Sequence, residues 1–95
     1  IFVELLRQVE QVLLPASRAD IEAALARLPL YGVLAGYRGR KGCDMPALVD
    51  AIEAVACFAA AHSETLEELD VNPLLALPAG AVAVDALIRM KGQAR

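Results

Sequence analysis

Asn72 and Asp85 are the two polar residues of this 95-residue sequence whose types and spacing most clearly suggest chemistry. Each interrupts an apolar stretch, and the two stretches are separated by Leu77-Pro78-Ala79-Gly80, which is typical of a type I turn. If the ends of this turn lie opposite each other, the register of the hairpin places Asn72 directly across from Asp85. Directly opposed residues of antiparallel strands have Cβ atoms about 4.5–5.5 Å apart. The sequence therefore predicts that an amide oxygen and a carboxylate project together.

Two hard oxygen ligands at this spacing could share one divalent cation. Mg²⁺ usually takes one or two protein oxygens and completes its coordination with water and phosphate oxygens. The alternative is a solvent-exposed polar face with a single hydrogen bond between Asn72 and Asp85. The residue types by themselves leave both interpretations open.

Arg38 is a second candidate, because it lies between Gly36 and Gly39 in the Gly-rich segment 30–43. We expect this segment to be a loop. Its sequence lacks both the P-loop pattern and the glycine pattern of dinucleotide-binding folds. An arginine can nevertheless hold phosphate or carboxylate oxygens with two parallel hydrogen bonds, so Arg38 could bind an anionic ligand. The alternative is a solvent-exposed linker.

The remaining residues of chemical interest carry weaker signals. Glu4 lies among apolar neighbours, either as an exposed residue or as an acid that points into a site. His62 is the single histidine, and we expect it at an exposed helix end rather than in catalysis. Cys43 and Cys57 form no metal-binding or redox spacing, and two lone thiols fit a reducing, cytoplasmic setting.

The strands that would position these residues follow from apolar periodicity. Alternation predicts two strands over 66–77 and 80–90, and runs rich in Val, Leu and Ile predict two more over 1–7 and 9–14. One face of the resulting sheet would carry the polar candidates Asp70, Asn72 and Asp85.

Two helices lie between the strand pairs. A capping-box-like sequence predicts a helix start at Ser17, and Pro29 ends that helix. Asp44 caps a second helix, which fades near His62. The order strand, strand, helix, loop, helix, strand, strand predicts an α+β fold. We expect a single domain over 1–95, with a four-stranded, mainly antiparallel sheet and two helices on one face.

Composition narrows the classes of function. A net charge of −3 and a pI near 5.0 argue against nucleic-acid binding, which would need a basic surface. No apolar run reaches the roughly 18–20 residues of a membrane span. The hydrophobic content of 58% is high for so short a chain, which begins without Met or a signal sequence. We therefore expect a segment of a larger protein whose apolar faces meet a neighbour, with homo-oligomer formation as one outcome.

Residues 68–75, ELDVNPLL, followed by AVDA at 83–86, resemble the end of the ATP-grasp domain in NDP-forming acyl-CoA synthetases. These include ADP-forming acetyl-CoA synthetase and, more distantly, the β subunit of succinyl-CoA synthetase. The opening IFVE at 1–4 and the loop GYRGR at 36–40 are similar as well, in the expected order. The resemblance covers nearly the whole chain and implies that residues 1–95 are the C-terminal lobe, half of an ATP-grasp fold.

The resemblance implies a reaction in which acyl-CoA formation from a carboxylic acid is coupled to ATP through a phosphohistidine. Mg²⁺, ATP or ADP, and CoA would be the cofactors of the full-length parent. In the family, the positions of Asn72 and Asp85 hold the Mg²⁺. The position of Asp70 is associated with handling the phosphohistidine, although the succinyl-CoA enzymes carry the longer Glu there. Arg38 lies in the matching loop.

The resemblance also implies partners. The nucleotide-binding lobe with its ATP-binding lysine and the phosphorylated histidine do not match any part of this chain, and His62 lies in no matching motif. We therefore expect the remaining ATP-grasp lobe and the CoA-binding and ligase domains as partners, and no activity from the chain alone. The alternatives are a non-catalytic regulatory or interaction module of the same fold, or the synthetase-like region of a protein acyltransferase.

Overall fold

The computed structural model describes residues 9–36 and 41–92. Seven elements follow one another along these residues: α1 (Arg18–Arg27), α2 (Tyr31–Ala35), α3 (Met45–Ala61), β1 (Leu66–Val71), β2 (Leu74–Ala76), β3 (Ala81–Ala83) and β4 (Ala86–Met90). Among these described helices, none is long and apolar enough to cross a lipid bilayer.

Helix α1 begins at the predicted capping box. The Ser17 hydroxyl accepts a hydrogen bond from the Asp20 N–H at 3.1 Å, and the Asp20 carboxylate accepts one from the Ser17 N–H at 3.0 Å. These bonds satisfy two N–H groups that the first turn of a helix leaves unpaired, and they lower the pKa of Asp20. The helix ends where Leu28 turns extended before Pro29, as predicted.

Helices α1 and α3 form the core together. The buried cluster consists of Ile21 and Leu25 from α1 with Leu48 and Val49 from α3. All four are aliphatic, as the low aromatic content predicted. Tyr31 and Leu34 of α2, Ile52 and Ala56 of α3 and Leu74 and Ala76 of β2 are among the partly buried residues that pack against this cluster.

The segment from β1 to β4 is one long antiparallel hairpin in the predicted register. Strand β1 pairs with β4, with Val71 opposite Ala86, and β2 pairs with β3, with Leu74 opposite Ala83. At the turn, the Leu77 N–H donates to the Gly80 C=O at 3.1 Å. The two ladders are separate two-stranded sheets, and Pro73 lies between β1 and β2, where it lacks an N–H for the ladder.

The α+β class with antiparallel strands is confirmed. Among the described residues, however, the strands form two two-stranded sheets rather than one four-stranded sheet, and all of them lie within the segments predicted at 66–77 and 80–90. The predicted strand over 9–14 is wrong, since these residues form no strand, and the exposed fractions of Val9 and Leu13 are 76% and 91%. A strand needs a partner for its backbone groups, and β propensity does not supply one. The predicted strand over 1–7 lies outside the described residues.

Two further local predictions differ from the structure. Residues 31–35, predicted as loop, form α2, because the packing of Tyr31 and Leu34 on the core outweighs the low helix propensity of Gly32. Apolar alternation along the hairpin predicts that Leu75 lies on the covered face of β2. Leu75 is instead 43% exposed, and the partly buried Leu74 and Ala76 are the residues that pack against the core. The sequence there is apolar on both faces of the strand, so alternation does not identify the buried one.

Candidate metal site

Asn72 and Asp85 lie across from each other at the junction of the two ladders. The backbone N–H of Asn72 donates to the C=O of Asp85 at 3.0 Å, and the next rung is closed by the Val84 N–H to the Pro73 C=O at 2.9 Å. Both Asn72 and Asp85 are exposed. The structure therefore confirms the register that the turn sequence predicted, and it places the two residues opposite each other between the β1–β4 and β2–β3 ladders.

The Asp85 carboxylate is oriented by the chain itself. Its Oδ1 accepts a hydrogen bond from the N–H of Ala86 at 2.8 Å. A carboxylate offers about four lone-pair positions, so this bond leaves capacity to coordinate a cation. A carboxylate and an amide side chain on residues that face each other across a hairpin provide oxygen donors of the kind that Mg²⁺ prefers.

Asp70 lies on β1 opposite Leu87, two residues before Asn72, and it is exposed. Within residues 9–36 and 41–92, no group of three or more His, Cys, Asp or Glu side chains is placed to hold a metal ion. The site predicted from the sequence has one carboxylate and one amide, so it is smaller than such a cluster. Its remaining ligands would be water and phosphate oxygens.

Arg38 and Glu4 lie outside the described residues. The structure does describe the residues on either side of the segment that contains Arg38. The Cys43 N–H donates to the Leu34 C=O at 2.8 Å. A Cβ on Gly42 would lie 2.5 Å from the backbone carbon of Ala35. The chain therefore leaves α2 and returns to it at a single point, and the return is possible because residue 42 has no side chain.

Asp44 is a residue whose main contact the sequence did not reveal. Its Oδ1 accepts from the Ala47 N–H at 3.1 Å, which is the predicted helix cap of α3. Its Oδ2 accepts from the Gly80 N–H at 2.8 Å, and its own N–H donates to the Leu77 C=O at 2.6 Å. The hydrogen bonds from Gly80 and Ala47 hold the pKa of the Asp44 carboxyl below its usual value.

Asp44 therefore bonds to both groups that normally bond to each other in a tight turn. In a type I turn the N–H of the fourth residue donates to the C=O of the first. Here the Gly80 N–H and the Leu77 C=O each bond to Asp44 instead. The positive φ of Gly80, 86°, suits a glycine at this position.

Arg18 connects the two long helices. Its Nη1 lies 2.6 Å from Asp50 Oδ1 and 3.1 Å from Glu53 Oε1, both on α3, and its Nη2 donates to the Pro46 C=O. The hydrogen bond with Asp50 is the largest of the effects that raise the pKa of Arg18. Asp50 and Glu53 are the acidic residues within the otherwise apolar sequence of α3, and their ion pairs with Arg18 explain their position.

His62 is exposed at the end of α3, as predicted. Its ring stacks on Phe58 with 4.2 Å between ring centroids, and its Nδ1 lies 2.9 Å from the Phe58 C=O. Both contacts are made within one turn of the same helix. Cys43 and Cys57 are free thiols, in agreement with the absence of a paired spacing in the sequence.

The architecture is that of an α+β domain in which a long hairpin runs from the end of one helix to the start of the same helix. A family model described as an ATP-grasp domain matches residues 1–90. The chain belongs to the ATP-grasp domain family. Its relatives in this family include ADP-forming acetate–CoA ligases. It is 34% identical over 94 residues to the subunit beta of ADP-forming acetate–CoA ligase II from Pyrococcus furiosus, covering 97% of this chain and 40% of that protein.

A second relative and a solved structure are enzymes of the same class. The chain is 38% identical over 88 residues to ADP-forming acetate–CoA ligase II of Archaeoglobus fulgidus, which covers 93% of this chain and 13% of that protein. Its fold matches the dinucleotide forming acetyl-coenzyme A synthetase 1 of Candidatus Korarchaeum cryptofilum, solved with coenzyme A and Mg-AMPPCP, with a TM-score of 0.82 and 34% identity. That match covers 96% of this chain and 42% of that chain. The chain therefore spans less than half the length of these relatives.

Proposed function

We propose that this chain is the metal- and phosphate-binding lobe of an ADP-forming acyl-CoA synthetase, which couples acyl-CoA formation to ATP through a phosphohistidine. The observation that carries the proposal is the position of Asn72 opposite Asp85 in a chain of this family. The relative of known structure was solved with coenzyme A and Mg-AMPPCP, with its phosphohistidine segment pointing towards its nucleotide binding site. These are the ligands that the proposal assigns to the full-length parent.

The proposal gives defined roles to three residues of the hairpin and to Arg38. Asp85 supplies an anionic oxygen and Asn72 a neutral one, and together they hold Mg²⁺ at the junction of the ladders. The bound metal neutralises charge on the phosphate oxygens of the nucleotide as the phosphoryl group moves. Asp70, on β1 of the same hairpin, acts on the phosphohistidine rather than on the metal, and Arg38 holds a phosphate oxygen.

The exposed apolar residues of the hairpin support the proposed partners. Val82, Val84, Leu87 and Ile88 are all exposed, although side chains of this kind are usually covered. The relatives are more than twice as long as this chain. We propose that the remaining ATP-grasp lobe and the ligase domains of the parent cover this surface.

We place the parent in the cytoplasm, because both cysteines of this chain are free thiols.

The test is the Mg²⁺ dependence of histidine phosphorylation in the full-length parent, measured with labelled ATP. Asp85→Asn preserves the volume of the side chain but removes its negative charge. The Mg²⁺ concentration for half-maximal phosphorylation should rise by about tenfold or more, since even changes beyond the ligands commonly cost this much. Glu64→Gln is a matched control, because it removes a carboxylate from an exposed residue before β1. A wild-type Mg²⁺ dependence in Asp85→Asn would overturn the proposal.

A further inference from the structure

The hairpin is attached to α3 at both of its ends. At the tip, Asp44 bonds to the Leu77 C=O and the Gly80 N–H. At the base, the Leu66 N–H donates to the His62 C=O at 2.7 Å, and the Lys91 N–H closes the hairpin itself by donating to the Thr65 C=O at 2.7 Å. Asp44 and His62 are the residues that cap α3. The helix therefore sets the distance that the hairpin must span.

That distance is shorter than the length of a straight strand from Leu66 to Leu77. At about 1.5 Å per residue, the helix from Asp44 to His62 rises about 27 Å. At about 3.3 Å per residue, a strand from Leu66 to Leu77 would extend about 36 Å. The segment from Leu66 to Leu77 must therefore twist or bend, and its ladder is irregular at two places. One is the register shift between Leu66 and Glu68, and the other is the break between β1 and β2.

The rung between Asn72 and Asp85 lies at the second of these irregularities. We propose that Asp44 is a positioning residue for the metal site. By holding the turn against the start of α3, it fixes the bend of the hairpin and thereby the relative placement of the Asn72 amide and the Asp85 carboxylate. This inference rests on the proposed function, because it concerns the same two ligands.

The chemistry of Asp44 offers a variant that separates the tip contact from the helix cap. The carboxylate uses one oxygen for the Ala47 N–H and the other for the Gly80 N–H. An asparagine has one oxygen, which still caps a helix well, whereas its NH₂ group would face the N–H of Gly80 and cannot accept from it. Asp44→Asn should therefore keep α3 capped and remove the side-chain hydrogen bond to Gly80, so that the backbone bond from Asp44 to the Leu77 C=O alone holds the turn.

Ser17→Ala is the matched control for this variant. Ser17 caps α1 through the Asp20 N–H, just as Asp44 caps α3 through the Ala47 N–H. The contacts of its side chain are within the first turn of α1 and do not include the hairpin. A general loss of helix stability would therefore affect Ser17→Ala, whereas a loss of hairpin placement would affect Asp44→Asn alone.

The experiment uses the full-length parent and two measurements. The first is the Mg²⁺ titration of histidine phosphorylation. The second is hydrogen–deuterium exchange at the Asn72 and Val84 amides, without Mg²⁺ or nucleotide. In Asp44→Asn we expect a several-fold rise in the Mg²⁺ concentration for half-maximal phosphorylation and faster exchange at both amides. Ser17→Ala should leave both measurements at their wild-type values.

The possible failures are distinguishable. If Asp85→Asn raises the Mg²⁺ requirement but Asp44→Asn does not, the proposed function stands and the positioning role of Asp44 is wrong. If Ser17→Ala shifts the Mg²⁺ requirement as much as Asp44→Asn does, the positioning role is also wrong. If Asp85→Asn has no effect on Mg²⁺ dependence, the proposed function itself fails. Unchanged exchange at the Asn72 and Val84 amides in Asp44→Asn would overturn the inference without reference to the metal.

Discussion

The N–H of Asn72 donates to the C=O of Asp85 at 3.0 Å, so the two candidate ligands are held by a bond between main-chain atoms. Substitution of either side chain leaves this bond available. The effects of side-chain variants at these positions can therefore be assigned to the loss of the side-chain oxygens rather than to the loss of this backbone hydrogen bond. This separation makes the hairpin a favourable place for mutational tests.

Asp70→Asn should affect a different step from the metal-ligand variants. Asp70 is not one of the two proposed ligands, so the Mg²⁺ dependence should stay near the wild-type value. Loss of its charge should slow phosphate transfer to or from the histidine by about tenfold or more, the cost of one charge-assisted hydrogen bond. Single-turnover measurement of histidine phosphorylation and dephosphorylation at saturating Mg²⁺ checks this. A shift in Mg²⁺ dependence as large as that of Asp85→Asn would instead make Asp70 a ligand.

Gly42→Ala should destabilise the protein by about 1–3 kcal/mol, because the new methyl group would overlap the backbone of Ala35 and cannot be accommodated by a side-chain rotation. Gly32→Ala is the control, since a Cβ there meets no atom within 4 Å and Ala is the better helix former. Thermal unfolding of the full-length parent compares the two. Equal melting temperatures for both variants would show that the close approach of residues 35 and 42 is relaxed at no cost.

The folded protein should become less stable as the pH falls, partly because the Asp44 carboxylate becomes protonated. The N–H groups of Gly80 and Ala47 lower its pKa in the folded state below the usual 3.8. Its contribution to stability is therefore complete above about pH 5 and is lost as the pH falls from the unfolded-state pKa through the folded-state pKa. Asp44→Asn should be less stable than wild type at neutral pH, and the difference should shrink at low pH. Urea unfolding across this pH range measures it, and a constant difference would contradict the assignment.

Arg38→Ala should weaken phosphate handling by about tenfold, because a guanidinium can hold two phosphate oxygens at once. Lys41→Ala provides the comparison within the same basic segment and should have a smaller effect. The measurement is the KM for ATP in histidine phosphorylation. Equal effects of the two variants would indicate a diffuse electrostatic role for the segment.

The features that the sequence predicted correctly depend on local signals. The capping box at Ser17, the helix stop before Pro29 and the cap at Asp44 each involve residues within three or four positions of one another. The hairpin register follows from a short turn, which fixes the pairs as far as Glu68, where the register shifts. The position of Asn72 opposite Asp85 was therefore predictable.

The features that were missed depend on distant contacts. The bond between Asp44 and Gly80 joins residues 36 positions apart, and no local pattern indicates it. Helix α2 forms because Tyr31 and Leu34 pack on the core, which overrides the propensity of a short segment that contains a glycine. The buried face of β2 is likewise selected by the helices beneath it, since Leu74 and Leu75 are equally apolar.

The closure between Leu34 and Cys43 has a consequence for protein engineering. The hydrogen bond from Cys43 to Leu34 and the close approach of Gly42 to Ala35 join the chain on either side of this segment. The entropic cost of closing a loop grows by only about 0.6 kcal/mol for each doubling of its length. A peptide tag or a reporter inserted between Gly36 and Lys41 should therefore leave the packing of the helices and the hairpin in place.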